Sequence, residues 1–279
     1  MSARYRVVDV FAPEPLAGNA LAVFPDPGSV DPDRMQRIAR EMNLSETTFV
    51  TGVTADGYDV RIFTPGSELP FAGHPTLGTA WVLRELGAVA GERVIQRSAA
   101  GETPVTFEGD RVWLERSGSG GEDLDNIGDA LEALGLGRDV VGFDAAAIGG
   151  RPASLRPAIA DAGVPWLMLP LATPEVVAGL WAPTRVPEPD GIYCFAPLGK
   201  GRVKARFFAA GLGVVEDPAT GSAAASLGLY LWDRAGEIAL EVEQGVEAGR
   251  PSLLSIRAED GRVHVGGAVR LAAEATLLA

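Results

Sequence analysis

The stretch "RIFTPGSELPFAGHPTLGTA" (residues 61–80) matches a second one, "RFFAAGLGVVEDPATGSAAASLG" (residues 206–228). Both run Arg-x-Phe-x-x-Gly, then Glu-x-Pro-x-x-Gly, then His74 or Ser222, then a run of small and apolar residues. Pro70 and Pro218 stand 148 residues apart (218 − 70), as do Gly73 and Gly221, whereas Arg61 and Arg206 stand 145 apart (206 − 61). The second copy therefore carries three extra residues, in "GLGVVE". Repeats of about 20–50 residues point to solenoids, but one repeat of half a chain predicts duplication of a whole domain. The run after each glycine is apolar almost all round, and a helix without a polar face belongs inside, wrapped by sheet.

Central helices are therefore expected near 74–87 and 221–235. The rest of each half reads mainly as strands. "YRVVDVFA", "ALAVFP", "ETTFVTGV" and "YDVRIFT" lie in the first half, and "WLMLPL", "GIYCFAP" and "VKARFFA" in the second; Val, Ile, Phe and Thr between turn residues mark them. "DPDRMQRIAREMN" predicts a surface helix, with Asp31 as N-cap, Pro32 in the first turn and Met35, Ile38, Ala39 and Met42 on one face. "TPEVVAGLW" and "IGDALEALGL" read as further helices, and the Gly-rich acidic "GSGGEDLDNI" as a linker. Neither half shows the regular alternation of a doubly wound sheet. The expected fold is α+β, with two homologous, pseudo-symmetric domains, each a mostly antiparallel or mixed sheet around a central helix. The expected boundaries are 1–117 and 118–267, with 268–279 returning to the first domain.

Composition narrows the function. Apolar residues make up 47% and charged residues 22%, a globular balance rather than a disordered one. The formal charge of −13 repels phosphate backbones and anionic lipid, so neither nucleic acid nor membrane is an expected partner. One cysteine, Cys194, excludes a disulfide framework and a cysteine zinc site. The two histidines, His74 and His264, lie in separate contexts and no metal is expected; His264 sits in an alternating strand pattern. The opening residues lack a basic leader with an apolar core, and no apolar run reaches about 18 residues, so a cytoplasmic protein is expected.

The duplicated turn carries the chemistry. The first amides of a helix lack intrahelical partners, and the helix dipole adds partial positive charge there. Two such N-termini, entered through Gly73 and Gly221 and converging on one cleft, would hold the carboxylate of a small anionic substrate. His74, in the first turn of its helix, is expected to be neutral because the dipole disfavours imidazolium. Asp217 is the natural carboxylate opposite it, although an N-cap-like position also suits a purely structural role. Ser222 can bond backbone or substrate.

Taken together, "AGN", "NLSETTFV", "ELPFAGHPTLGTA", "EDPATGSAAASLGLYL", "QGVEAGRPSLLSI" and "VHVGGAV" resemble the phenazine biosynthesis PhzF-like family, from Asp9 to the end of the chain. The resemblance implies the two-domain fold of diaminopimelate epimerase, a cofactor-free isomerase acting in biosynthesis, and a homodimer. It places the general acid/base glutamate on Glu46, with His74 and Asp217 as further catalytic residues. Asn19, Gly73, Gly221 and Ser222 become substrate-binding residues, and the expected reaction is a proton shift in a dihydro-hydroxyanthranilate-like acid. The paired cysteines of the epimerase relatives are absent from both turns, and Cys194 reads as buried packing. Glu46 alone would be read as solvent-facing, but its nearly uncharged flanks suggest a drier setting that would raise its pKa.

Four other readings compete. One is a racemase or epimerase on the same fold. A hydrolase using Ser222, His74 and Asp217 lacks the Gly-x-Ser-x-Gly elbow. A dinucleotide enzyme would need Gly-x-Gly-x-x-Gly, which "GLGVVE" breaks at its last position. A binding protein that turns nothing over is the fourth.

Overall fold

The computed structural model describes residues 2–212 and 214–278; Gly213, in the "GLGVVE" stretch, lies outside the described residues. In chain order the first elements are β1 (Ser2–Val10), β2 (Asn19–Phe24), α1 (Pro32–Met42), β3 (Glu46–Val53) and β4 (Gly57–Phe63). Next come β5 (Glu68–Leu69), α2 (Gly73–Glu85), β6 (Arg93–Ser98), β7 (Gly101–Glu108) and β8 (Arg111–Ser117). The middle holds α3 (Gly128–Leu134), β9 (Phe143–Asp144), β10 (Ser154–Leu155), β11 (Ala158–Asp161), β12 (Pro165–Pro170) and α4 (Pro174–Ala178). The last elements are β13 (Ile192–Gly199), β14 (Arg202–Ala209), β15 (Val214–Asp217), α5 (Gly221–Ala235), β16 (Ile238–Gln244), β17 (Ser252–Glu259) and β18 (Arg262–Leu278). The chain forms two compact units, Met1–Glu115 with Gly266–Ala279, and Arg116–Val265.

Each unit runs through the same order of pairings. In the first, β1 is antiparallel to β2, β2 parallel to β3, β3 antiparallel to β4, β4 parallel to β6, and β6 antiparallel to β7. In the second, β11 is antiparallel to β12, β12 parallel to β13, β13 antiparallel to β14, β14 parallel to β16, and β16 antiparallel to β17. A parallel pair needs a crossover connection. The four crossovers carry α1 and α2 in one unit and α4 and α5 in the other. The short strand β5 pairs with β4 as β15 pairs with β14. In the first unit β18 bonds both β8 and β1, which closes its strands into a ring.

The two long apolar helices are the cores of their units. Every residue of α2 from Gly73 to Ala80 is buried, and α2 packs on β1, β2, β3, β6 and β7. Thr79 of α2 bonds Thr48 of β3 (Oγ1–Oγ1 2.8 Å), satisfying two buried hydroxyls at once. The α5 helix packs on β11, β12, β16 and β17, again with few exposed positions. Close approach fixes Gly228 of α5. A Cβ there would stand 2.3 Å from Val263 Cγ2 and 2.9 Å from Ile256 Cγ2, both stiff side chains on strands. Gly228→Ala gains about 1 kcal/mol of helix propensity, but overpacking costs about 1–3 kcal/mol. We therefore expect a net loss of about 0–2 kcal/mol in a urea titration. A stabilised variant would contradict the packing.

Local rules account for the surface helix as well. Asp31 caps α1 by accepting from the Asp33 amide (3.0 Å), Pro32 sits in the first turn, and Asn43 ends the helix in the left-handed region. Met42 is half-buried against the same cluster as Met35, Ile38 and Ala39. Other readings change. The Gly-rich stretch 118–127 is not a free tether: Ser119 bridges Asp161 and Asp123 bridges Ala158, lengthening the sheet beside β11. The Gly118 and Gly121 positions leave no room for a side chain, since a Cβ at either would lie 1.9 Å from a carbonyl oxygen of that strand. The glycines there serve close approach rather than flexibility. The helix expected over "TPEVVAGLW" stops at Ala178, leaving Trp181 88% exposed.

Candidate active site

The Arg-x-Phe and Glu-x-Pro elements of the duplicated motif meet in space within each unit. In the first, Arg61 Nε and Nη2 each donate to a Glu68 carboxylate oxygen at 2.7 Å, a two-point fork from β4 to β5. In the second, Arg206 Nε and Nη2 donate to Glu216 at 2.8 and 2.7 Å, from β14 to β15. Each guanidinium also covers the Phe two residues on, 5.0 Å from the Phe63 centroid and 4.9 Å from that of Phe208. Each fork thus ties a short strand down just before the turn that enters the buried helix.

Both helices start without a side-chain cap, with Ala72 and Thr220 at the N-cap positions. The surface helix α1 and the short α4, in contrast, are capped by Asp31 and Thr173. Pro75 has no amide hydrogen, so the first turn of α2 offers Gly73 and His74; that of α5 offers Gly221, Ser222 and Ala223. A glutamine from the following strand steadies each start. Gln96 of β6 donates to Thr76 Oγ1 (2.8 Å) and accepts from Tyr58 OH (3.1 Å). Gln244 of β16 donates to Thr220 Oγ1 (3.1 Å) and to the Asp217 carbonyl (2.8 Å), and accepts from Tyr193 OH (3.0 Å).

In the first unit the structure brings Glu46 and His74 together. Glu46 opens β3, His74 lies in the first turn of α2, and Glu46 Oε2 stands 3.3 Å from His74 Nε2. Asn19 opens the neighbouring parallel strand β2 at the same end, where Leu21 is in register with Glu46. The Glu46 side chain keeps 16% of its surface exposed and that of His74 only 5%. Burial lowers the His74 pKa to about 3, so the ring is neutral at ordinary pH. The dipole invoked from sequence acts in the same direction but is worth only about 0.3–1 kcal/mol, so burial is the dominant cause. A neutral ring presents Nε2 as donor or as acceptor according to its tautomer.

The unfolded imidazole titrates near 6.5 and the folded one near 3, so below pH 6.5 the unfolded chain binds a proton that the folded chain refuses. The contribution of His74 is therefore undiminished above pH 6.5 and is lost as pH falls toward 3, by about 2 kcal/mol at pH 5. Urea midpoints at pH 7.5 and 5 are expected to show that extra loss in wild type relative to His74→Gln. Equal losses in the two proteins would contradict it.

In the second unit Asp217 ends β15 and accepts from Thr220 Oγ1 at 2.6 Å, so Thr220, not Asp217, stands at the N-cap. Ser222 Oγ accepts from Trp166 Nε1 at 3.1 Å. Gly221 is buried, while Asp217 and Ser222 are partly open. Sequence reasoning missed Trp166 and both glutamines; a Gln within "RVIQRS" or "LEVEQ" is the one signal that could have flagged the latter. Cys194 is fully buried and burial pushes its thiol up, which leaves an inert packing group. Among the described residues no group of three or more His, Cys, Asp and Glu is placed to hold a metal ion. No helix among them is long and apolar enough to cross a membrane.

A duplicated α+β unit built on a buried helix is a known architecture. The chain shares its fold with a hydroxyproline epimerase from Agrobacterium vitis at TM-score 0.60 and 12% identity, over 99% of this chain and 92% of that one. It matches a PhzF family protein from Enterococcus faecalis more fully, at TM-score 0.81 and 29% identity over the whole of both chains. The chain belongs to the phenazine biosynthesis-like protein family, whose model matches residues 8–123 and 136–279. A trans-2,3-dihydro-3-hydroxyanthranilate isomerase from Pseudomonas aeruginosa is 38% identical over 270 residues, covering 92% of this chain and 90% of the relative. The Pseudomonas fluorescens protein of the same name is also 38% identical, over 94% of this chain and 95% of its own length. This chain is a PhzF-type isomerase.

Proposed function

We propose that the protein moves a proton between two carbons of a small unsaturated carboxylic acid of the dihydro-hydroxyanthranilate kind, with Glu46 as the general acid/base. The observation that carries this reading is the 3.3 Å contact between Glu46 and a neutral His74 at an uncapped helix start. A carboxylate beside a neutral imidazole can take a proton from one carbon while the ring holds its orientation. The same carboxyl then returns the proton elsewhere on the same π-system. The balance is internal: one C–H bond breaks, another forms, the double bonds shift, and no redox partner is required. His74 and Asp217 orient the polar groups of the substrate. Asn19, Ser222 and the amides following Gly73 and Gly221 bind it, its carboxylate falling to the amides.

The asymmetry of the two helix starts favours this over racemisation. A two-base racemase needs a proton carrier from each half. Here Glu46 stands beside His74 in one unit, and the position corresponding to His74 in the other holds Ser222 beside an indole that does not titrate, while the Asp217 carboxyl group of that turn is engaged by Thr220 Oγ1. The names of the relatives support the same substrate class. Incubation with trans-2,3-dihydro-3-hydroxyanthranilate, followed by absorbance and chiral chromatography, tests the reading. Conversion to a constitutional isomer is expected. Inversion of proline or hydroxyproline without any such conversion would assign the chain to racemisation instead.

A further inference from the structure

We propose that Trp166 is a positioning residue that fixes Ser222 as a hydrogen-bond donor toward the substrate. This rests on the reading of Ser222 as a binding residue. An indole N–H can only donate, so the hydroxyl oxygen of Ser222 must accept from Trp166 Nε1, at 3.1 Å. One lone pair is thereby occupied, and the hydroxyl hydrogen is left to point away from the indole. A serine hydroxyl otherwise rotates freely between donor and acceptor roles. Beside an anion only the donor role is useful, and the indole enforces it in advance.

Packing keeps the indole where this requires it. Trp166 lies on β12, only 7% exposed, and meets Phe207 edge-on with ring centroids 5.0 Å apart. Gly191 leaves the space the ring occupies: a Cβ there would lie 2.5 Å from Trp166 Cε3 and 2.8 Å from Phe207 Cζ. Trp166 lies on β12, the counterpart of β2, whereas Glu46 opens β3, the counterpart of β13; each reaches the helix-start group of its own unit. In one unit that partner can carry a proton, and in the other it cannot.

Trp166→Phe keeps an aromatic ring against Phe207 and deletes the donor. The indole signals in a 15N–1H spectrum come first: the chain has five tryptophans, and the resonance missing from Trp166→Phe is that of Trp166. Ser222→Ala is expected to move that resonance and leave the other four in place. Affinity for 3-hydroxyanthranilate, the aromatic analogue with no sp3 ring C–H to give up, is then measured by calorimetry in wild type, Trp166→Phe, Ser222→Ala and the double variant. Trp166→Phe is expected to weaken binding about fivefold to tenfold, the effect of one hydrogen bond. KM for the dihydro acid rises by a similar factor and kcat falls less. Once residue 166 is Phe, Ser222→Ala should cost less than half of what it costs in wild type.

Additive effects, or unchanged affinity in a folded Trp166→Phe, overturn the proposal, as does a shared fall in melting temperature with affinity intact. A wild-type chain that neither binds the analogue nor converts the dihydro acid overturns the functional reading itself. That failure is recognisable because it appears with the native tryptophan in place and its indole resonance still sensitive to Ser222→Ala.

Discussion

Glu46→Gln is expected to lower kcat for the dihydro acid by about a thousandfold, within the 10²–10⁴ range of positioned acid–base catalysis. KM should change by less than about threefold, because an interaction made only in the transition state is lost from kcat rather than from ground-state binding. Glutamine keeps the shape of the side chain and can still bond His74 Nε2, from which Glu46 Oε2 stands 3.3 Å away. It cannot accept and return a proton. The neutral ring sharpens the expectation: with a pKa near 3, His74 has no proton to lend at pH 7 beyond the one on its neutral form. Steady-state kinetics with a circular-dichroism check on folding decide the matter. A variant within tenfold of wild type would remove Glu46 from the chemistry.

The second large effect concerns stability, and it separates the two copies of the motif. The Arg206 and Glu216 side chains are only 5% and 12% exposed, whereas those of Arg61 and Glu68 are 35% and 39% exposed. Arg206 also donates to the carbonyl oxygens of Leu180 and Ala178 at the end of the short α4 helix. Removing Glu216 strands a buried guanidinium, so Glu216→Ala is expected to cost about 3–5 kcal/mol. Glu68→Ala breaks the same fork in water and should cost about 0–1 kcal/mol. Since whole domains are stable by only about 5–15 kcal/mol, the first loss is easily read as a lower urea midpoint. Adding Arg206→Leu to Glu216→Ala should recover part of it, because the unpaired charge goes too. Equal costs at the two forks would mean that burial does not set their strength.

What the sequence made legible was the repetition and its consequence, a buried helix after each Gly73 and Gly221 turn. A helix of small apolar residues has few other places to go. The Asp31 cap and the Asn43 end of α1 followed from local rules, which depend on neighbours in sequence. The partners of the motif residues did not follow, because they come from far along the chain: Gln96 for Thr76, Gln244 for Thr220, Trp166 for Ser222. A tryptophan in an apolar strand looks like core whether or not its N–H has work to do. The stretch 118–127 was legible as a linker but its bridges to β11 were not, because glycine permits both a loose tether and a tight strand approach, and only the neighbouring carbonyls distinguish them. His74 was read as neutral for the helix dipole, but burial is the larger cause.

The motif is written twice because each copy performs one mechanical task. An Arg–Glu fork fixes a short strand, a glycine turn follows, and a buried helix presents an uncapped start. The residue after the glycine is where the copies part, with His74 beside a carboxyl group and Ser222 beside an indole. On the proposed mechanism, the proton passes through the first copy alone, while groups of both copies hold the acid.

Deuterium incorporation from D2O tests that claim most directly. Trans-2,3-dihydro-3-hydroxyanthranilate is incubated in D2O with wild type and with Glu46→Gln, and the product is examined by mass spectrometry. The account predicts isomerised product carrying deuterium at the carbon that receives the proton with wild type, and neither conversion nor label with Glu46→Gln. Label that persists undiminished in Glu46→Gln would contradict it.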